Sequence, residues 1–236
     1  YHGEIYDAAL ELLGWAQPGG QTAPGGRWRA VQAVPVDPGI LRAQVGAAVA
    51  VMERLPAQRV FRTPKGELVI DFGQNMAGRI EVTTAGAPGE TLELRCFEAL
   101  DAAGNAYTEN LRHARTAMRY TFAAAGTVTW HPRFTYMGFR YALVVQWPAH
   151  AAPPAPAAFT ACAMYSRMAQ TGTWQSSAPL LNGLHHNILW GLKSNFLDAP
   201  TDCPQRDERL GWTADAQIFC STACYLMDTD TFYRKW

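Results

Sequence analysis

The chain has 236 residues, enough for one large domain or two small ones, each with a core of its own. Twenty Lys and Arg balance twenty Asp and Glu, so the formal net charge is zero. That balance removes the electrostatic footprint of a nucleic-acid or anionic-membrane binder, and no apolar run approaches the roughly 18 residues of a membrane span.

Residues 1–56 are irregular. A Gly- and Pro-rich patch at residues 17–26 leads into short alternations that suit strands, and Pro35 and Pro38 forbid a helix between them. This stretch is read as the tail of an all-β module. From residue 57 to about 160 the signal changes. ELVID (67–71), GRIEVT (78–83), TLELRC (91–96) and RYALVVQ (140–146) are short runs of alternating or β-branched residues separated by turn material. That spacing predicts a β-sandwich. A Pro/Ala stretch at 148–158 reads as a connection between units. Beyond it the period becomes helical. Leu180, Leu184, Ile188 and Leu192 recur at steps of four and predict a buried stripe, with Ser176 or Ser177 as N-cap. A second helix is predicted from Thr213, with Asp215 in its first turn and Ile218, Phe219, Ala223, Leu226 and Met227 along its apolar face.

Chemistry concentrates between these helices, in DCPQRDERLGWTADAQ at residues 202–217. Pro204 and Gly211 within it, and Pro200 just before it, keep its first part out of a regular helix, so side chains can converge from a loop. Four carboxylates within fourteen residues repel one another and raise at least one pKa unless Arg206 and Arg209 offset them. A raised carboxyl is what a general acid needs, and Trp212 offers a flat face to a sugar ring. Acids plus an aromatic, without metal-ligand spacing or a nucleophile beside a His, point to glycosidic chemistry. Composition alone leaves a structural salt-bridge network equally open.

The same string closely resembles the signature of bacterial α-L-rhamnosidases, glycoside hydrolase family 78, where it opens an (α/α)6 barrel. Ala214 stands where the family usually has Gly. The resemblance extends to DFGQNMAG (71–78), EALDAAG (98–104), NLR (110–112) and FTYMGFRY (134–141), which look like the family's β-sandwich. GEIYD (3–7) and GRW (26–28) look like the end of an accessory β-domain, and TGTWQSS (171–177) with Leu181 and Asn182 like the barrel entry. The implied fold is a multidomain β + α arrangement. An accessory β-domain remnant (1–56) and a β-sandwich (57–160) are followed by the first helices of an (α/α)6 barrel (161–236).

The resemblance implies that Glu208 is the general acid of an inverting glycosidase and that Asp202 and Asp215 hydrogen-bond rhamnose. It implies that Trp212 lines the sugar pocket and that Arg206 sits beside the acid. Asp207 either orients neighbours or pairs with an arginine. The family's base comes from a later barrel segment, so this polypeptide alone is expected to be inactive. Rhamnose-containing glycosides are the implied partners, with no nucleic acid, membrane, cofactor or metal, and with a homo-oligomer open for the whole protein. A barrel hydrolase of another sugar specificity, or a carbohydrate-binding β-module with structural helices, are the alternative readings.

Other features invite a plainer account. Cys96, Cys162, Cys203, Cys220 and Cys224 form no CxxC pair, and their odd number slightly favours reduced thiols and a cytoplasmic setting. Cys203 has no adjacent base and reads as packing. His185 and His186 point about 100° apart on a helix and read as structural. Gly73 suits a turn or bulge, with Gln74 and Asn75 bridging strands. Trp15, Trp28, Trp130 and Trp147 read as packing rather than a sugar platform. The chain opens without Met or signal peptide, and both ends read as cuts through a longer protein.

Overall fold

The computed structural model describes residues 1–12, 14–18 and 30–236. Trp28, the GRW at 26–28 and most of the Gly/Pro-rich patch lie outside the described residues.

Thirteen strands and three α-helices form among the described residues. In chain order the first strands are β1 (Gly3–Asp7), β2 (Val49–Pro56), β3 (Arg59–Arg62), β4 (Leu68–Gly86) and β5 (Thr91–Phe97). They are followed by β6 (Ala99–Leu100), β7 (Ala106–Tyr107), β8 (Ala117–Thr121), β9 (Gly126–Trp130), β10 (Met137–Gln146) and β11 (Phe159–Ser166). Helix α1 (Pro179–Asn195), the short β12 (Phe196–Leu197) and β13 (Ala199–Pro200), α2 (Thr213–Leu226) and α3 (Asp230–Lys235) complete the chain.

One sheet of nine strands runs in the order β1-β8-β5-β10-β4-β11-β2, with β3 and β9 also paired to β4. Strand β4 is its spine. It spans 19 residues, and its partners change along its length from β3 and β10 to β11 and β9. Changing partners bends the sheet around a shared interior, the concanavalin-like curl of a sandwich. Strand β1 pairs parallel with β8 and β2 antiparallel with β11, so strands drawn from residues 1–56 run in this same sheet.

Alternation along β4 and β5 sends Ile70, Ile80, Val82, Leu92 and Leu94 into the interior, where Phe72, Phe122, Phe139 and Phe159 close the packing. Each such side chain contributes about 1.5–3 kcal/mol when fully covered. Tyr120 stacks on Tyr6 at 5.6 Å and meets Trp130 at 5.3 Å, which fixes β1 to the sheet. Trp130 is buried and Trp147 packs on Phe159, as expected, but Trp15 is 64% exposed.

Helix α1 lies against the sheet. Trp190 joins the sheet's core, and Lys193 reaches Glu53 at 2.5 Å while its ammonium sits over the Trp190 and Tyr165 rings. The predicted stripe is only half covered. Ile188 and Leu192 pack against α2 and α3 around the stacked Phe196–Phe232 pair, whereas Leu180 and Leu184 are 89% and 54% exposed. Along α2 Ala223 and Leu226 are buried, but Ile218 is exposed. The cap predicted for α1 does not form as drawn. Ala178 and Trp212 occupy the cap positions, and Ser176 instead accepts from the Ala178 amide at 3.1 Å while bonding the Asn182 side chain. None of the described helices is long and apolar enough to cross a membrane.

Candidate active site

The acidic segment is a closed loop. Asp198, at φ 68°, turns the short hairpin that joins β12 to β13. Thr201 then bridges to Gly211, the Asp202 amide donates to the Leu210 carbonyl at 3.1 Å, and the Leu210 amide donates to Asp202 Oδ1 at 3.1 Å. This neck brings the two ends of the loop together and folds Glu208 back beside Asp202. Carboxylate and thiol atoms of Asp202, Cys203 and Glu208 all lie within 4.8 Å of one another.

Arg206 ties the acids together. Its guanidinium lies 2.9 Å from Glu208 Oε2 and 3.6 Å from Asp202 Oδ2. A cation is thus already supplied where three donors converge, and Cys203 is a weak ligand because burial pushes its thiol up. Arg209 does not share this role. From a left-handed backbone at φ 46° it turns inward and donates to the carbonyls of Arg206, Gln205 and Tyr136, at 3.1, 3.2 and 2.6 Å. A guanidinium has five donors, and here they satisfy loop carbonyls instead of carboxylates. Asp207 turns away from the other acids to His113 at 3.1 Å; burial pushes its carboxyl up, but the hydrogen bonds from His113 and the backbone outweigh that and hold it below the usual range.

The loop rests on the β-sheet, on residues to which the sequence reading gave no role in the site. Leu111 to Ala114 form a tight turn closed by Ala114 N–H donating to Leu111 O at 3.0 Å. Arg112 stands at φ 54°, ψ −118°, the angles of the first central position of a type II′ turn, where Gly is usual. From the tip of this turn Arg112 reaches Glu208 Oε2 at 3.1 Å and His113 reaches Asp207. The Tyr1 hydroxyl donates to the Glu208 carbonyl, and the Gly138 amide donates to the Pro204 carbonyl at 2.9 Å. A Cβ at Gly138 would stand 2.8 Å from Pro204 Cγ and 2.9 Å from Gln205 N, so only glycine lets the loop lie directly on β10. The NLR string marked Arg112, but nothing local announces its partner 96 residues away.

Two cavities meet at Asp202. The first, about 520 Å³, lies between α1 and α2, with Asp202 and Asp215 on a mostly apolar lining of Ile188, Leu192, Phe196 and Phe219. The second, about 490 Å³, lies between the sheet and α1 and carries Asp202 and Arg206. Asp202, Arg206 and Glu208 are thus brought into contact, and Asp215 shares a cavity with Asp202. Trp212, 43% exposed at the start of α2, lines neither cavity. His186 meets Gln74 at 2.9 Å, a contact between α1 and the sheet.

The wall of the second cavity comes from a bulge in β4. Between the pairs Phe139↔Met76 and Tyr141↔Asp71 the register jumps, so residues 72–75 stand opposite Arg140 alone. Gly73 takes φ 79° there, and Asp71 holds the bulge by accepting from the Gly73 amide at 2.8 Å, Arg140 at 3.0 Å and Arg59 at 3.0 Å. Burial pushes the Asp71 carboxyl up, but these donors outweigh it and hold it below the usual range.

Comparison with known proteins agrees with this arrangement. Residues 61–165 match the bacterial alpha-L-rhamnosidase concanavalin-like domain and residues 169–236 the bacterial alpha-L-rhamnosidase 6 hairpin glycosidase domain. The chain is 41% identical over 235 residues to an alpha-L-rhamnosidase of Streptomyces avermitilis, covering 99% of this chain and 22% of that one. It is 37% identical to an alpha-L-rhamnosidase of Formosa agariphila, covering 100% and 25%. Among solved structures, the S. avermitilis enzyme complexed with L-rhamnose superposes with a TM-score of 0.89, over 100% of this chain and 22% of that one. The native enzyme of Aspergillus terreus also gives 0.89, at 37% identity over 99% and 27%. The chain therefore spans about a quarter of the length of the relatives it matches. It belongs to the bacterial α-L-rhamnosidases and carries their concanavalin-like domain with the start of their six-hairpin glycosidase domain.

Proposed function

We propose that the protein carrying this chain hydrolyses terminal α-L-rhamnosides with inversion, and that Glu208 is its general acid. The carrying observation is the Asp202–Arg206–Glu208 cluster, held in a closed loop: Asp202 borders both cavities, Arg206 borders the second, and Glu208 stands beside Asp202 behind them. Both arginine contacts to the Glu208 carboxyl fall on Oε2, so Oε1 is the oxygen that carries the transferable proton. As the bond between the anomeric carbon and the glycosidic oxygen breaks, that proton passes to the departing oxygen and water attacks the opposite face of the ring. Asp202 is not the base. Its donor atom lies within 4.8 Å of that of Glu208, closer than the about 6.5–9.5 Å that leaves room for the attacking water. Asp202 and Asp215 instead accept hydrogen bonds from rhamnose hydroxyls, and Arg206 orients both acids.

Two substrates test the assignment. With Glu208→Gln, hydrolysis of a rhamnoside with a sugar leaving group falls by about 10²–10⁴-fold. An aryl rhamnoside loses far less, because nitrophenolate departs without a proton. Equal losses on both substrates would overturn the role of Glu208.

A further inference from the structure

We propose that Tyr1 is a positioning residue for proton delivery, holding the peptide between Glu208 and Arg209 from a strand that precedes both matched domains. The inference rests on the reading that Glu208 is the general acid.

Backbone geometry points to this place. Arg112, Thr116, Asp198 and Arg209 are the non-glycine residues with positive φ among the described residues. All four lie in the acid-bearing loop, in the hairpin that leads into it, or in the 111–116 segment beneath it. Such backbone persists only where its surroundings over-determine it. At Arg209 the surroundings are three carbonyls and two rings. Its guanidinium stands 5.4 Å from the centroid of the Tyr1 ring and 5.5 Å from that of Tyr136. Cation–π attraction acts within about 6 Å, so both rings hold it. The Tyr1 hydroxyl donates to the carbonyl of Glu208, the residue before. One side chain thus grips both residues of the Glu208–Arg209 peptide. Rotation of that peptide is the motion that would swing the Glu208 carboxyl away from Arg206 and Arg112.

Tyr1 is itself fixed from behind. The Thr116 amide donates to its carbonyl at 3.2 Å, and the Ala117 amide to the His2 carbonyl at 3.0 Å. Thr116 is buried, and its hydroxyl donates to the Cys96 carbonyl at 2.7 Å. A Cβ at Gly3 would stand 1.6 Å from the Ala117 oxygen, so β1 lies this close to β8 only because residue 3 is glycine. Core packing does not account for Tyr1, which is 47% exposed. Its two contacts with the loop are what the side chain contributes.

The test compares Tyr1→Phe, which keeps the ring and deletes the hydroxyl, with Glu208→Gln in the protein carrying this chain. Each is assayed on a sugar-linked rhamnoside and on a nitrophenyl rhamnoside. Tyr1→Phe lowers kcat on the sugar-linked substrate by about three- to tenfold, the usual effect of one hydrogen bond. It leaves KM, the melting temperature and nitrophenyl hydrolysis at the parent's values, because nitrophenolate departs without a proton. Tyr1→Leu, which also removes the ring from beneath Arg209, loses about 10²-fold on the sugar-linked substrate alone. If Glu208→Gln separates the two substrates and the Tyr1 variants do not, Tyr1 is no positioning residue while the acid stands. A Tyr1 effect confined to the melting temperature has the same meaning. If Glu208→Gln loses equally on both substrates, the acid falls and the role of Tyr1 with it.

Discussion

Gly138→Ala tests whether the acid-bearing loop is seated on β10. The added methyl would meet Pro204 C and Gln205 N at 2.9 Å and Pro204 Cγ at 2.8 Å. Two of these are backbone atoms that cannot swing aside. To restore an ordinary contact near 3.5 Å the loop must retreat by about 0.6 Å, lengthening the Gly138–Pro204 hydrogen bond now at 2.9 Å. Overpacking of this kind costs about 1–3 kcal/mol, and a weakened buried hydrogen bond adds up to about 1 kcal/mol. A net loss of about 2–3 kcal/mol corresponds to about 4–12 °C in melting temperature for a chain of this size. The control is Gly183→Ala in α1, where a Cβ meets nothing within 4 Å. Helix propensity there predicts a gain of about 0.5–1 kcal/mol. Thermal melts of the two variants, with rhamnose titration of each, separate the cases. A Gly138→Ala chain that melts with the parent and binds rhamnose unchanged would refute the seating of the loop.

Asp71→Asn keeps the shape of the β4 bulge but removes the charge between Arg59 and Arg140. Loss of one partner from a buried ion pair costs about 3–5 kcal/mol; because Arg59 and Arg140 keep 58% and 38% of their side chains in water, about 2–3 kcal/mol is expected. The Asp71 carboxyl is held below its usual range in the folded chain. Its stabilisation is therefore complete above the unfolded value near 3.9 and is lost as pH falls through the folded value. Urea midpoints of parent and variant should differ fully at neutral pH and converge below about pH 4; a constant gap would show that the charge is not the cause. Arg112→Gly separates stability from positioning. Relief of strain returns about 1–3 kcal/mol, against up to about 1 kcal/mol each for the exposed ion pair and for the freer unfolded chain. Stability thus changes by between about −1 and about +3 kcal/mol, with no large loss, while hydrolysis of a sugar-linked rhamnoside by the protein carrying this chain falls. Unchanged hydrolysis would remove Arg112 from the positioning of Glu208.

What the sequence disclosed follows the range of the forces involved. Alternation in the runs at 67–83 and 91–96 is a local property, and it located β4 and β5 because the pleat forces every second side chain inward. Gly73 disclosed a bulge, since few other residues take its φ of 79°. Periodicity in α1 told which face is apolar but not what covers it, so Leu180 and Leu184 were misjudged while Ile188 and Leu192 were not. Arg209 was misassigned for a related reason. Charge suggests a carboxylate partner, but a left-handed backbone turns the guanidinium towards three carbonyls. Contacts spanning about a hundred residues, Arg112 with Glu208 and His113 with Asp207, leave no trace in local pattern.

These long-range contacts also tie the concanavalin-like domain to the loop that opens the six-hairpin domain. Between its neck at Thr201–Gly211, the loop contains Pro204 and no helix or strand. Fixing each of its residues costs about 1–2 kcal/mol in backbone entropy, more than the Arg206 ion pairs return, because Arg206 and Glu208 stay partly in water. The balance comes from the sheet, through the Gly138 amide, the Tyr136 carbonyl, the Arg112–His113 turn and the Tyr1 hydroxyl. The loop carries Glu208, the proposed acid, but the surface beneath it sets where that carboxyl points. A change on β10 or in the 111–114 turn should therefore act on proton delivery to the leaving group before it acts on rhamnose binding, since Asp215 is borne on α2, apart from that surface.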